Sequence, residues 1–275
     1  MKVIVPIDFS RTSVKALQFA GRLFQSGEAR LMLVHSYVPL QGGFVAEQTV
    51  EEENAYEEER LRQQLNRLAG KMHRQHGITI SEVAVVQQGA AARAVIALAK
   101  KEQADLIVMG TTGATGLREK LIGTTTAQVI AQAPCPVLAV PERYRPAPVK
   151  NIVFTTDYHL EDLQALRLLR QWPATRNAHL HILHFSPARS NDRQKAIHAD
   201  YEAMVRQAIG NQRLRFQVVA STDVKEDLQQ LARRHEADLL VMVTRRRRWW
   251  QHLLDAGHTR KVVCHARIPL LAFPV

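Results

Sequence analysis

The sequence predicts an α/β fold made of two tandem, open, parallel five-stranded sheets with helices on both faces. Short apolar runs alternate along the chain with segments whose apolar residues recur at helical spacing, the pattern of strand–helix–strand units. One such run, Leu106-Ile107-Val108-Met109, carries no charge and stops at Gly110, as a strand buried on both faces does. The whole pattern then restarts close to residue 149, which divides the chain into 1–142, a Pro-containing linker over 143–148, and a second unit over 149–275.

Taken in order, Lys2 to Ile7 is the first strand and ends at Asp8. Ser10 and Thr12 are placed to cap the helix that follows, whose Val14, Leu17, Ala20 and Leu23 share one side. Leu31 to Ser36 is the second buried strand. A stretch with Gly42-Gly43 then leads to a charged helix from about Glu51 to His76, acidic at its start and basic at its end, as the helix dipole prefers. Ser81 to Gln88 is the third strand, Ala90 to Lys101 a helix, and Ala104 to Met109 the fourth strand. Cys135 to Val140 is the fifth, where prolines at 134, 136 and 141 suit an edge position. Ligands of such sheets sit beyond the carboxyl ends of strands where the strand order reverses, and Asp8 and Gly110 both lie at such ends.

The second unit repeats these strands in kind. Ile152 to Asp157 follows Ile4 to Asp8, and Leu180 to His184 follows Leu31 to His35, at a register of 149 residues. Ala237-Asp238-Leu239-Leu240-Val241-Met242 follows Ala104-Asp105-Leu106-Ile107-Val108-Met109, and Ile268 to Phe273 follows the fifth strand, at a register of 133. The second copy is therefore 16 residues shorter, with the loss between its second and third strands. His35 and His184, on buried strands, are read as satisfied core residues.

Gly110 to Thr126 is the stretch with chemistry in it. Glycines let the backbone turn sharply and approach a ligand, and Gly123-Thr124-Thr125-Thr126 ahead of an apolar, Ala-rich segment reads as a helix N-terminus with hydroxyl caps. Such a terminus favours phosphate. A Walker A loop is excluded because no Gly-Lys-Ser/Thr follows, and the glycines do not fall at G-x-G-x-x-G. What matches is G-x2-G-x9-G-(S/T), filled by Gly110, Gly113, Gly123 and Thr124, set between Ala-Asp-Leu-Ile-Val-Met and Ala-Pro-Cys-Pro-Val-Leu-Ala-Val.

In this pattern the chain resembles the ATP-binding universal stress proteins, over nearly its whole length and in two copies. The resemblance implies a Rossmann-like sheet of strand order 3-2-1-4-5, with ATP and an accompanying Mg2+ or Mn2+ at the carboxyl edge of the first unit. Carried over residue by residue, Pro6, Ile7 and Asp8 would meet the adenine–ribose portion. Ser36 stands where the family often has a small aliphatic residue. Gly110 and Gly113 would line the ribose–phosphate path, and Gly123, Thr124 and Thr125 would hold the phosphates. The resemblance also implies that the two fifth strands pair, so that one chain mimics a dimer of single-unit relatives. In the second unit Gly110, Gly113 and Gly123 become Val243, Arg246 and Ala256, and Arg245 to Arg248 with Trp249-Trp250 replaces the loop. β-Carbons and bulky side chains there argue against a backbone cradle for ATP.

Composition limits the function classes. Formal net charge is +11, divided as +3 over residues 1–146 and +8 over 147–275, so the basic excess of the second half fits either solubility or an anionic ligand. No apolar stretch approaches the ~20 residues of a membrane helix, and the first residues enter a strand without a signal-peptide pattern. Cys135 and Cys264 offer no disulfide framework and fit a reducing compartment, so a cytoplasmic location is expected. Within the motif the only acid is Glu119, with no histidine or lysine matched to it, which favours binding over dedicated catalysis; joined to the family resemblance, this implies a nucleotide-binding regulatory protein of the stress response. The expected partners are ATP, an unidentified protein, and a second copy of the chain. Slow ATP hydrolysis or nucleotidyl transfer is one alternative. An anion- or partner-binding module acting through the Arg-rich second unit is the other.

Overall fold

The computed structural model describes residues 1–24, 29–42, 47–87, 90–111, 123–145, 147–186, 192–210, 213–244 and 268–274. Gly113, the Arg245–Arg248 run with Trp249 and Trp250, Ala256 and Cys264 lie outside them. The first repeat runs β1 (Lys2–Pro6), α1 (Arg11–Leu23), β2 (Arg30–Tyr37), α2 (Glu47–His76), β3 (Glu82–Gln87), α3 (Ala91–Lys101), β4 (Leu106–Gly110), α4 (Thr124–Gln132) and β5 (Val137–Val140). The second runs β6 (Asn151–Thr155), α5 (Leu160–Gln171), α6 (Pro173–Arg176), β7 (His179–Ser186), α7 (Asp192–Ile209), β8 (Leu214–Ala220), α8 (Val224–Arg234), β9 (Leu239–Thr244) and β10 (Leu270–Pro274).

Both repeats contribute to one ten-stranded sheet of order β3-β2-β1-β4-β5-β10-β9-β6-β7-β8. Each half has the order expected, and within each half every pair is parallel. The halves meet through β5 and β10, which pair antiparallel at Val137↔Ala272, Leu138↔Leu271 and Ala139↔Leu270. β5 is thus the edge of its own repeat and the centre of the whole sheet. Its prolines are tolerated because Pro136 and Pro141 flank Val137–Val140, leaving every N–H of the strand available.

Central strands are apolar on both sides because helices cover both faces. Val3, Val5, Leu33 and Leu106 pack with Leu17 and Phe19 of α1, Leu65 of α2 and Leu166 of α5 on one face. Ile4, Val34 and Ile107 pack with Val95 of α3, Val129 of α4 and Leu228 of α8 on the other. Phe24 and Trp172 meet edge to face at 5.7 Å between α1 and α6, tying the repeats together on the first face.

The repeat extends to individual bonds. Asp105 accepts from the N–H of Lys2 at 2.7 Å, and Asp238 accepts from the N–H of Asn151 at 2.9 Å. The His35 Nδ1–H donates to the Ile7 carbonyl at 2.6 Å, and the His184 Nδ1–H donates to the Thr156 carbonyl at 2.9 Å. Both Nδ1 groups are satisfied, but neither ring is core as read from sequence: both are half-buried at the ends of their strands, and His35 faces a cleft. Phe9 and Tyr158 take the same left-handed conformation, φ 60° and 63°. The missing residues of the second copy fall where expected, since α7 has 18 residues against 30 in α2.

Candidate functional site

At the carboxyl ends of β1 and β4 the strand order reverses, because β1 pairs with β2 on one side and with β4 on the other. A cleft of about 200 Å3 opens there. Pro6, Ile7 and Asp8 line it at the end of β1, Ser36 on β2, Gly110 at the end of β4, and Gly123, Thr124 and Thr125 at the start of α4. The structure therefore brings together every residue singled out from sequence except Gly113, which lies outside the described residues. Ser13, Val34, His35, Ala91, Val95, Met109 and Thr126 also line the cleft and were not foreseen there. A histidine read as core, and an α3 start at Ala90-Ala91 with no capping residue, gave no signal of it.

Local bonding fixes the walls. Ser10 caps α1 by accepting from the Ser13 N–H at 3.1 Å, and Asp8 Oδ1 accepts from the Ser10 N–H at 3.0 Å, which holds the Asp8 carboxylate at the rim. The Thr126 hydroxyl donates to the Gly110 carbonyl at 2.8 Å, locking α4 against the end of β4. Thr12, expected as a cap, instead lies buried beneath Gly110.

Two details depart from the sequence reading. The N-cap of α4 is Gly123, which has no side chain to cap with, so among the described residues the expected hydroxyl caps are absent and no side chain caps the first-turn N–H groups. The Gly123 N–H is itself occupied, donating to the Thr111 carbonyl at 2.5 Å. Thr124 and Thr125, in the first turn of the helix, line the cleft. The N-cap of α3, Ala90, likewise makes no side-chain cap, and Ala91 lines the same cleft. Two helix N-termini without side-chain caps thus converge on one cavity, each presenting the positive end of its dipole. Gly110, second, lines the cleft as expected but is also held to glycine by packing: a Cβ there would lie 2.6 Å from Thr12 Cγ2 and 3.0 Å from its carbonyl carbon. The close approach it permits is to α1.

Electrostatics around the cleft are simple. Among the described residues no group of three or more His, Cys, Asp or Glu is placed to hold a metal ion. Cys135 is buried and its thiol is pushed up to about 12 by desolvation and then by Asp105, so it is a packing residue. No helix among the described residues is long and apolar enough to cross a membrane.

A sequence profile of the universal stress protein family matches residues 1–141 and again 148–274. The chain belongs to that family. A universal stress protein of Methanocaldococcus jannaschii is 33% identical over 147 residues, covering 50% of this chain and 81% of its own length. One from Thermus aquaticus is 33% identical over 140 residues, covering 50% of this chain and 96% of its own. The crystal structure of a universal stress protein from Archaeoglobus fulgidus superposes over 99% of this chain and 96% of its own, with a TM-score of 0.69 at 17% identity, a likeness of fold. This universal stress protein is thus a tandem of one family unit.

Within the tandem the second copy of the cleft is built differently. Leu183, Phe185 and Leu228 stand where the first repeat has Val34, Ser36 and Val95. Leu183 and Leu228 are buried in the second core and Phe185 packs against it. Larger apolar side chains occupy positions that line the opening in the first repeat.

Proposed function

We propose that this universal stress protein is an ATP-binding regulatory protein whose nucleotide is held by the first repeat, while the second serves structure and regulation. The observation that carries the reading is the convergence of the α3 and α4 N-termini on a cleft lined by Asp8, Ser36, Thr124 and Thr125. Phosphates favour the uncapped N–H groups, a base favours the apolar wall of Ile7, Val34, Val95 and Met109, and a ribose hydroxyl favours the Asp8 carboxylate. A divalent cation would arrive on the phosphates themselves, since Asp8 is given to the ribose end of the cleft. The working place of such a protein is the cytoplasm.

The test is calorimetry of magnesium–ATP binding to the full chain and to Thr125→Glu. A carboxylate in the first turn favours the helix dipole, so the variant folds, yet it repels a phosphate. One ATP per chain in the wild type, weakened roughly tenfold or more in the variant, is expected. An unbound wild type, or equal affinities, would sink the reading.

A further inference from the structure

The charge of the second half, +8 over residues 147–275, is not used by the cleft of the first repeat. Part of it gathers at the amino-terminal border of the second repeat. His179 and His181 are alternate residues of β7, so they leave the sheet on one face, and His181 stands beside Arg215 of β8 in the parallel register. Leu183, two residues further on, packs with Leu228 and Leu231, so this is the face that α8 covers. α8 ends at Arg234, and the next residue, His235, stacks on His181 with ring centroids 4.0 Å apart and planes inclined by 25°.

The pair is unsatisfied. His181 is 7% exposed, yet among the described residues its Nδ1 has no hydrogen-bond partner, and neither has the buried Nε2 of His235. Among the described residues, His181, His235, Arg215 and Arg234 join no ion pair. Asp238 is committed to the N–H groups of Lys150 and Asn151 at 2.8 and 2.9 Å, and Glu236 is exposed. Burial, then the charges of His235, Arg215 and His179, push His181 down to about 4. His235 is lowered by burial and then by Arg215 and Arg234. Arg215 and Arg234 disfavour a proton on these rings, and an anion rich in acceptor oxygens beside them offsets that charge and favours the protonated, hydrogen-bond-donating imidazoles.

Topology adds a second argument. The antiparallel β5–β10 pair reverses the second repeat, so its amino-terminal border continues the border that carries the first repeat's cleft. Both lie on the face covered by α3, α4 and α8. From β1 to β7 is six strand steps, roughly 30 Å along the sheet.

We propose that Arg215, Arg234, His179 and His235, gathered around the buried His181, form a second anion site that takes a phosphate-bearing ligand of the oligophosphate class. Arg215 and Arg234 flank one stacked pair instead of lining a track, which suits a compact group. The site stands whether or not the first repeat holds a nucleotide.

The probe is inorganic pyrophosphate without metal, titrated at low salt into full-length Thr125→Glu protein, in which phosphate binding to the first cleft is weakened. Histidine side-chain nitrogen shifts report the site. Saturable shifts of the His181 and His235 signals are expected, with the affinity falling roughly tenfold or more in Arg215→Gln/Arg234→Gln, whose exposed substitutions leave the core intact. Absence of saturable shifts overturns the proposal, and so does binding that the two substitutions leave unchanged. A short oligothymidylate added in parallel assigns the source. Binding much tighter than that of pyrophosphate points to nucleic acid phosphates, and parity points to a free oligophosphate. Loss of ATP binding in Thr125→Glu alone speaks only to the first cleft.

Discussion

Gly110→Ala separates two roles that a glycine beside a ligand cleft can have. The added Cβ would lie 2.6 Å from Thr12 Cγ2, 3.1 Å from Thr12 Cβ and 3.0 Å from its carbonyl carbon. Carbon atoms prefer about 3.5–4.0 Å, so the overlap is about 1 Å, with a backbone atom among those struck. Overpacking of that kind costs about 1–3 kcal/mol, and a backbone neighbour puts this case near the top of the range. The alanine also restricts the unfolded chain, which returns about 0.4–1 kcal/mol. A net destabilisation of about 2 kcal/mol follows. Thr12→Ser deletes Cγ2, the nearest atom, while keeping the hydroxyl, so the double variant should recover about half of the loss through a favourable coupling. Urea unfolding midpoints of the four proteins, each at unchanged slope, measure this. A stable Gly110→Ala that fails to bind ATP would refute the packing account and return the glycine to the ligand. A double variant no better than the sum of the singles would refute the contact with Thr12.

Two further perturbations test the second repeat. Asp162 is 1% exposed and accepts from the Thr156 hydroxyl at 2.8 Å and from the N–H groups of Asp157 and His159 at 3.0 and 3.2 Å, filling the β6–α5 turn from inside. Asp162→Ala should cost about 3 kcal/mol in thermal or urea unfolding, with Asp162→Asn costing less because it keeps an acceptor. His181 carries a pH signature. The unfolded chain takes its proton near 6.5 while the folded one resists until about 4, so its contribution is complete above pH 6.5 and drains away as the pH falls towards 4. The loss at pH 5 is up to about 2 kcal/mol, and His181→Phe, which keeps a ring against His235, should flatten the stability profile between pH 7 and 5. An unchanged profile would mean that the imidazole is wet and titrates normally.

Much of this was legible because parallel strands buried on both faces write themselves as charge-free runs. Leu106–Met109 and Leu239–Met242 need no tertiary information to be recognised, and the two registers of the repeat located the shortened α7 from sequence alone. The cleft was legible through Asp8 and the 110–126 motif, since strand ends and helix starts carry local signals. Its other wall was not. Ala90-Ala91 has no capping residue, and α3 reaches the cleft only through packing on Val34 and Met109. The packing role of Gly110 was invisible because a sequence cannot show Thr12 lying against it. The left-handed Phe9 and Tyr158 were missed for a related reason. Bulky residues avoid positive φ locally, and here each ring is held by the histidine of the neighbouring strand, His35 at 5.1 Å and His184 at 4.0 Å. The pairing of β5 with β10 came from family resemblance, as no strand pattern names its partner.

That pairing has an evolutionary and a physical consequence. Two identical chains meeting edge to edge must show the same residue on both sides, so any change that suits one side is imposed on the other. Within one polypeptide the halves mutate separately, and the contrasts of Ser36 with Phe185 and Gly110 with Val243 are differences that a symmetric pair has no means to acquire. The union is also indifferent to dilution, because the second half is always present at the concentration that the linker sets. A protein free of that concentration dependence can keep one half for binding and spend the other on a different task, even when few copies are made.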